Sequence, residues 1–291
     1  MVEITETAWA KINLALHVTG QREDGYHLID SLVTFANFGD ALSFRESDCD
    51  NFSMAGSFAS FLPDNGDNLV VGARDYLRNK ARELGVPAGP VSIHLEKNLP
   101  IASGMGGGSA DAAACLRGLS SLWRINSQEL DHDELVAQLG ADIPMCLSSR
   151  PLLARGVGEK TTLIDWLMAL PVVLVNPLVS VSTPDVFAAL ESKDNQSLHM
   201  ETDTGSIIGQ AGALHATRND LQGPAQRLQP IIDEVISTMS DERPLLTRMT
   251  GSGATCFAIF ETLEASHLAA ASISDQYPEW WVRCGMTRTA E

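Results

Sequence analysis

LPIASGMGGGSADAAACLRGL, Leu99 to Leu119, packs five glycines (Gly104, Gly106, Gly107, Gly108 and Gly118) and the alanine run Ala112-Ala113-Ala114 into one short stretch. A strand-like segment, PVSIHLEKNLP, precedes it and a helical pattern follows. Glycine lets a backbone approach a ligand closely and adopt positive φ. A helix that begins straight after such a loop offers unpaired N–H groups and the positive end of its dipole, a natural seat for phosphate. No Gly-Lys-Ser/Thr follows, so the loop is not a Walker A motif, and the third glycine of a dinucleotide fingerprint is missing. Two readings stand at this point, a phosphate cradle and a tight turn with close helix packing.

Outward from the loop, strands and helices mix, with strands clustered early, which predicts an α+β architecture. Trp9 to Thr19 alternates: Ile12, Leu14, Leu16 and Val18 fall on one face, Lys11, Asn13, Ala15 and His17 on the other. That is the pattern of a half-buried strand, and it projects Lys11 and Asn13 from one side. Gly20 to Gly25 reads as a turn, His27 to Phe35 and Asp40 to Glu46 as two strands, and the polar stretch 48–67 as loop with short strands. Helices are expected over Asn68–Leu84, Ser109–Trp123 (capped by Ser109 or Asp111), Asp131–Leu139, Thr183–Leu190, Leu228–Met239 and Leu263–Tyr277. Asp142 before Ile143-Pro144 marks a helix restart, and Thr183 before Pro184 another. The apolar region Leu163 to Val181 reads as a helix end followed by a buried strand at Pro171–Val175, Glu191 to Gly212 as a mobile loop, and Thr250 to Phe260 as a glycine turn feeding a strand. A last strand is expected near Trp281–Cys284.

The chain has 291 residues, long enough for two domains, and the boundary is expected between Ser149 and Gly158. Its formal charge of -17 argues against a nucleic-acid partner. A phosphorylated small molecule stays open, because a few placed cations and backbone amides outweigh the average field locally. Five dispersed cysteines without C-x-x-C spacing predict reduced thiols in a cytoplasmic protein. The N-terminus lacks a basic start followed by an apolar run, so no signal peptide is expected, and Asp165, Pro171, Asn176 and Pro177 interrupt the most apolar region, so no membrane span is either.

No H-E-x-x-H, Cys/His cluster or G-x-S-x-G elbow is present, which sets aside zinc sites and α/β-hydrolases. What remains are two glycine loops, a strand lysine and an aspartate at a helix start. Phosphoryl transfer needs a phosphate cradle, positive charge at the transferring group, and a base for the acceptor hydroxyl. The first loop, Lys11 and Asp142 would supply these. Each also has a plainer reading: Lys11 as a surface lysine, Asp142 as a helix cap, Gly251-Ser252-Gly253 as a hairpin, Tyr26 and His27 as turn residues, Phe187 as core.

At these residues the chain resembles the GHMP kinases. Three blocks in order carry the resemblance: AKINLALHVTGQREDGYHLIDSL, LPIASGMGGGSADAAA and MTGSGATCFAIF. The first, with A-K-I-N-L followed by D-G-Y-H, is similar to the branch whose acceptor is a cytidine diphosphate ester of methylerythritol, as are GDNLVVGA, GADIPMC, VSTPDVF and RNDLQ. The resemblance covers essentially the whole chain. It implies two lobes, an ATP-binding one over 1–155 like ribosomal protein S5 domain 2 and a substrate-binding, ferredoxin-like α/β sandwich over 156–291, with the active site between them; the last strand either stays in the second lobe or returns to the first.

The resemblance also implies the chemistry: ATP-dependent phosphorylation of the acceptor's 2-hydroxyl, in non-mevalonate isoprenoid precursor synthesis. Lys11 and Asp142 match the catalytic lysine and aspartate. Pro100, Ile101, Ala102, Ser103, Gly104, Met105, Gly106, Gly107, Gly108, Ser109 and Ala110 match the ATP phosphate loop, with Asn68 near the nucleotide. Tyr26 and His27 match residues that hold the cytosine and Phe187 the aromatic on its other face; Asn13 and Thr183 match polar contacts to the substrate phosphates and polyol. Mg²⁺ is expected to be held by ATP phosphates and water, with no protein ligand. Met105 stands where leucine is common, and Ala110, where a second serine is common, removes a hydroxyl from the loop. The expected assembly is a monomer or weak homodimer. The alternatives are a kinase of another small alcohol, which has no use for a base platform, and a non-catalytic nucleotide-binding regulator on the same fold.

Overall fold

Two long antiparallel strands, β1 (Glu3–Gln21) and β2 (His27–Glu46), dominate the first part of the chain. The computed structural model describes residues 3–64, 67–126, 129–202 and 204–290. Residues 65 and 66 of the expected 48–67 loop, and residue 203 of the expected 191–212 segment, lie outside the described residues. The two strands expected over 27–35 and 40–46 are one. Gly39 makes that continuity possible: a Cβ there would fall 2.0 Å from the carbonyl oxygen of Ala8 on β1.

The chain forms two compact units, each assembled from several segments. The first comprises Met1–Ala10, Phe38–Ile101 and Gly106–Ser148. In it the second half of β2 runs antiparallel to β4 (Val91–Glu96), and β3 (Asn51–Ala55) lies parallel to β4. The register sets Leu42 opposite Leu95 and Phe44 opposite Ile93, and all four are buried. Helix α1 (Leu69–Glu83) starts at Asn68, whose Oδ1 accepts the Val70 N–H, and Lys80 and Arg82 suit the negative end of its dipole. Val70, Ala73, Leu77 and Ala81 form its buried stripe. Helix α2 (Gly107–Trp123) packs against α1 and α4 (Ile143–Ser148); α3 (His132–Leu139) is capped by Asp131. Neither Ser109 nor Asp111 caps α2; its N-cap is Gly106, in the left-handed conformation.

The second unit comprises Lys11–Asn37, Ala102–Met105 and Ser149–Glu291. The first half of β2 pairs with β5 (Leu152–Gly156), which pairs with β6 (Lys160–Leu163). Leu163 therefore ends a strand, where a helix end was expected. A separate antiparallel sheet joins β7 (Pro171–Asn176), β8 (Leu246–Met249), β9 (Cys256–Ile259) and β10 (Trp281–Met286) in the order β10-β7-β9-β8. With α8 (Ile231–Asp241) before β8 and α9 (Leu263–Gln276) before β10, this is the β-α-β-β-α-β plan of a ferredoxin-like fold. Val173 and Val175, paired with Ala258 and Cys256, share one core with Ile232, Val235 and Met239 of α8 and Ile273 of α9. Helices α5 (Thr183–Ala188), α6 (Ile207–His215) and α7 (Gln222–Leu228) complete the unit. Pro230 separates α7 from α8, so the helix expected over 228–239 is the end of one and most of another.

The helix cap at α5 is Ser182, whose hydroxyl accepts from the Asp185 N–H, and not Thr183. Among the described residues no helix is long and apolar enough to cross a membrane. In α2, a Cβ on Gly118 would fall 2.2 Å from the Phe44 ring. Gly118→Ala is therefore expected to overpack this contact and cost about 1–3 kcal/mol. Chemical denaturation checks it, and an unchanged midpoint would mean that α2 is free to lift off Phe44.

Candidate active site

The alternation of β1 predicts a half-exposed strand, but Ala10 to Val18 are buried on both faces; Lys11 is 5% and Asn13 2% exposed. The reading of Lys11 as a surface lysine falls with this. Within the second unit, distant segments cover the polar face. The Lys11 N–H donates to Met105 O at 3.0 Å, and the Asn13 N–H to Thr250 Oγ1 at 2.8 Å. Asn13 Nδ2 donates to Ser31 Oγ, whose own hydroxyl donates to Ala15 O. Asn13 Oδ1 is buried with no hydrogen-bond partner, an acceptor left open beside Lys11 in sequence.

Two glycine turns interlock in the same unit. Gly104 has φ +76 and a Cβ there would fall 2.5 Å from Thr250 O; Gly251 has φ +57 and its Cβ would fall 2.5 Å from Gly104 O. Only glycine serves at both positions. The Thr255 N–H donates to Ser103 O, and Asn219 Nδ2 donates to the carbonyls of Met249 and Gly251. Gly251-Ser252-Gly253 is thus more than a hairpin: it braces residues 102–105 of the first loop. Ser252 Oγ lies 2.7 Å from Thr183 Oγ1, which brings that predicted residue to the second glycine turn. Asn219 and Ser31 have no role in the sequence reading, although RNDLQ carries a signal for Asn219; Ser252 enters there only as part of the Gly251-Ser252-Gly253 turn.

His27 and Phe187, expected on opposite faces of a base, stack directly on each other, with ring centroids 4.8 Å apart and planes inclined by 22°. At that separation the rings touch each other, so no base fits between these two in this arrangement. Tyr26, 64% exposed, leaves its ring open to solvent. His27 Nε2 is buried and unpartnered, and burial together with the charge of Lys193 lowers the pKa of this ring, keeping it neutral. Within the expected mobile loop, residues 195–198 are tied down: Asn195 and Leu198 donate backbone N–H groups to Val18 O and Asp30 Oδ2, and Gln196 O accepts from Arg218 Nη2. Helix α6 begins within the same expected loop, at Ile207.

In the first unit, Asn68 is committed as a cap, its Nδ2 donating to Pro63 O at 2.9 Å. Asp142 immediately precedes α4, and its carbonyl accepts the Cys146 N–H. No side chain caps α2, so its first turn presents backbone N–H groups. Beneath that turn lies a buried cluster that sequence reading passed over. Lys97 Nζ is 2.6 Å from Asp40 Oδ2 and 2.6 Å from Asp111 Oδ2. A cavity of about 350 Å³ in the second unit, lined by Trp166, Met168, Thr202, Thr204, Gly205 and Gln210, contains none of the candidate residues.

Comparison with known proteins gives the family. Residues 68–150 fit the model for the GHMP kinases N terminal domain and 201–279 that for GHMP kinases C terminal. The chain is 50% identical over 284 residues to the 4-diphosphocytidyl-2-C-methyl-D-erythritol kinase of Rhizobium etli, covering 98% of this chain and 95% of that one. It is 51% identical over 289 residues to the protein of that name from Rhizobium meliloti, covering 99% and 95%. The chain belongs to the 4-diphosphocytidyl-2-C-methyl-D-erythritol kinase family. A crystal structure of 4-(cytidine 5'-diphospho)-2C-methyl-D-erythritol kinase superposes with a TM-score of 0.78 at 30% identity, covering 97% of this chain and 98% of that one. Homoserine kinase from Cytophaga hutchinsonii, at 18% identity and TM-score 0.67 over 99% and 95% of the two chains, shares the fold. The two-lobed GHMP kinase fold expected from the three sequence blocks is the fold of this chain.

One histidine inside this framework couples stability to pH. His17 Nδ1 lies 3.0 Å from Gln196 O and its Nε2 accepts the Arg218 N–H, a pairing that requires the neutral ring with its proton on Nδ1. Burial lowers its pKa from the ordinary 6.5. Above that value folded and unfolded chains are both neutral here and the full stability is present. As pH falls below it the unfolded chain takes the proton first, and stability is lost down to the folded pKa. The urea midpoint is expected to decline as pH falls below about 6.5, less steeply in His17→Gln. Parallel curves for the two proteins would assign the decline to other groups.

Proposed function

We propose that the chain transfers the γ-phosphoryl group of ATP to the 2-hydroxyl of 4-diphosphocytidyl-2-C-methyl-D-erythritol, giving the 2-phosphate and ADP in non-mevalonate isoprenoid precursor synthesis. The observation that carries this reading is 50% identity, over nearly the full length of both chains, with kinases named for that substrate. The intact Lys11, Asp142 and glycine blocks support a working enzyme over a nucleotide-binding regulator, and Tyr26, His27 and Phe187 support a pyrimidine acceptor over another small alcohol.

In this reading Asp142 takes the proton of the acceptor hydroxyl as its oxygen attacks the γ-phosphorus, and the bond to the bridging oxygen breaks with its electrons leaving on ADP. The Lys11 ammonium, out of water, stabilises charge on the reacting oxygens more strongly than it would in solvent. Residues 100–110 seat the donor phosphates on backbone N–H groups, with Asn68 capping the neighbouring helix. Tyr26 and Phe187 offer ring faces to the cytosine, and the buried, unpartnered Nε2 of neutral His27 would pair with its edge once the His27–Phe187 contact opens. Asn13 Oδ1 and the Thr183–Ser252 hydroxyl pair are suited to acceptor hydroxyls and phosphates. The cytidine diphosphate thereby supplies remote binding energy that orients the hydroxyl.

In this reading an Mg²⁺ would arrive on the nucleotide, held by phosphate oxygens and water, and would neutralise part of their charge.

Incubation with Mg-ATP and the cytidyl acceptor, followed by phosphorus NMR, is expected to show a new phosphomonoester and matching ADP. Turnover of mevalonate or homoserine instead would replace the acceptor assignment, and nucleotide binding without turnover would favour the regulator. Asp142→Asn is expected to lower kcat by about 10²–10⁴ with little change in cytidine-diphosphate affinity. Equal loss of that affinity would return Asp142 to a helix cap. Lys11→Met is expected to lower kcat on a similar scale of about 10²–10³ while KM for the acceptor stays near its wild-type value. A rise in KM alone would make Lys11 a binding group.

A further inference from the structure

The least explained group in the molecule is the buried cluster Lys97–Asp40–Asp111. Each side chain is at most 3% exposed. Removing three charges from water is costly, and apolar residues of similar volume commonly serve stability as well or better. Its placement suggests another use. Lys97 directly follows β4, at the start of the chain that leads into the loop, and Asp111 lies on α2, one residue beyond the glycine loop. Asp40 Oδ1 accepts the N–H of Leu99 at 2.8 Å and also that of Asn98, so the same carboxylate holds the backbone entering the loop. The Lys97 ammonium sits directly under the first residue of α2: a Cβ on Gly107 would fall 3.2 Å from Nζ. The next glycine is also explained from below, since a Cβ on Gly108 would fall 3.3 Å from Leu69. The glycines at this helix start thus let the chain settle onto Lys97 and Leu69.

At the positive end of α2 the ammonium is balanced by the two carboxylates, so its contribution there is geometric and not one of net charge. Burial disfavours the Lys97 ammonium, yet the two carboxylates outweigh it and keep the group charged. We propose that Lys97, clamped between Asp40 and Asp111, is a positioning residue for phosphoryl transfer. It fixes the first turn of α2 against the strand that feeds the loop, so that the N–H groups of residues 107–109 are preset for the donor's phosphates. This rests on the reading of residues 100–110 as the donor's phosphate loop and assigns the cluster a part in it.

The test uses the double variant Lys97→Met with Asp111→Leu, which replaces the ion pair by apolar volume and leaves Asp40 its two backbone donors. Titration with ATP and with adenosine separates phosphate seating from the nucleoside site. The expected result is a rise of about tenfold or more in Kd and KM for ATP, with adenosine Kd and acceptor KM within about twofold of wild type. If ATP and adenosine weaken together, or neither changes while the melting temperature shifts, the cluster is structural and the proposal is overturned. Should the double variant not fold, Asp111→Asn decides by the same ATP-to-adenosine comparison. The wild-type protein tests the underlying reading separately: ATP bound no more tightly than adenosine would show that the loop holds no phosphates, whatever the variants do.

Discussion

Everything proposed for the second unit depends on the burial of both faces of β1 between Ala10 and Val18. A strand that alternates apolar and polar residues normally keeps its polar face in water. Here that face is covered, so each polar group must find a partner or stand exposed to an uncompensated desolvation cost. The partners come from far along the chain: Met105 and Thr250 take the amides of Lys11 and Asn13, Arg218 O accepts the Leu16 N–H, and Asp220 Oδ2 accepts the Val18 N–H. A one-residue slip would turn Lys11 and Asn13 to the opposite face and orphan all of these bonds together. Arg248 reinforces the register, donating to Leu14 O, to Leu214 O and to the carbonyl and hydroxyl of Thr217. Burial lowers its pKa to about 10, still well above neutrality.

The charge of the chain is a poor guide to its interior. A formal charge of -17 describes a surface rich in carboxylates. Yet Lys11, Lys97 and Arg248 are all buried. Lys97 is balanced by two equally buried carboxylates, and Arg248 spends its donors on four acceptors of the backbone and Thr217. Low dielectric makes such buried charges count for far more than exposed acids spread over the outside.

Local chemistry made much of this legible. The helix starts at Asn68 and Asp131 and the strand-loop-helix order around Leu99–Leu119 follow from short-range rules, and the structure has them. The misses are tertiary. Alternation over 9–19 could not reveal that other segments would cover the polar side of β1. Residues 36–39 read as a break because Asn37 and Gly39 are turn-like, but Gly39 admits the Ala8 carbonyl and the strand runs through to Asp40, which binds Lys97. Residues 191–212 look mobile because they are polar, whereas backbone groups of Asn195, Gln196 and Leu198 pair with Val18, Arg218 and Asp30, and α6 begins at Ile207. For the site, glycine spacing, with Ser252 inside the second glycine turn, and the Lys11–Asn13 alternation are readable as candidates. Ser31 is not, because a lone serine acquires meaning only from what the fold sets beside it.

The contact between His27 and Phe187 has a consequence for how the second unit is built. The rings lie 4.8 Å apart with planes inclined by 22°, so each keeps water from one face of the other. Phe187 itself packs against the core of that unit, which makes His27 the outermost layer of a continuous apolar stack. The unpartnered Nε2 of that histidine marks where the apolar interior ends, and a strand residue and a helix residue far apart in sequence meet there by shape.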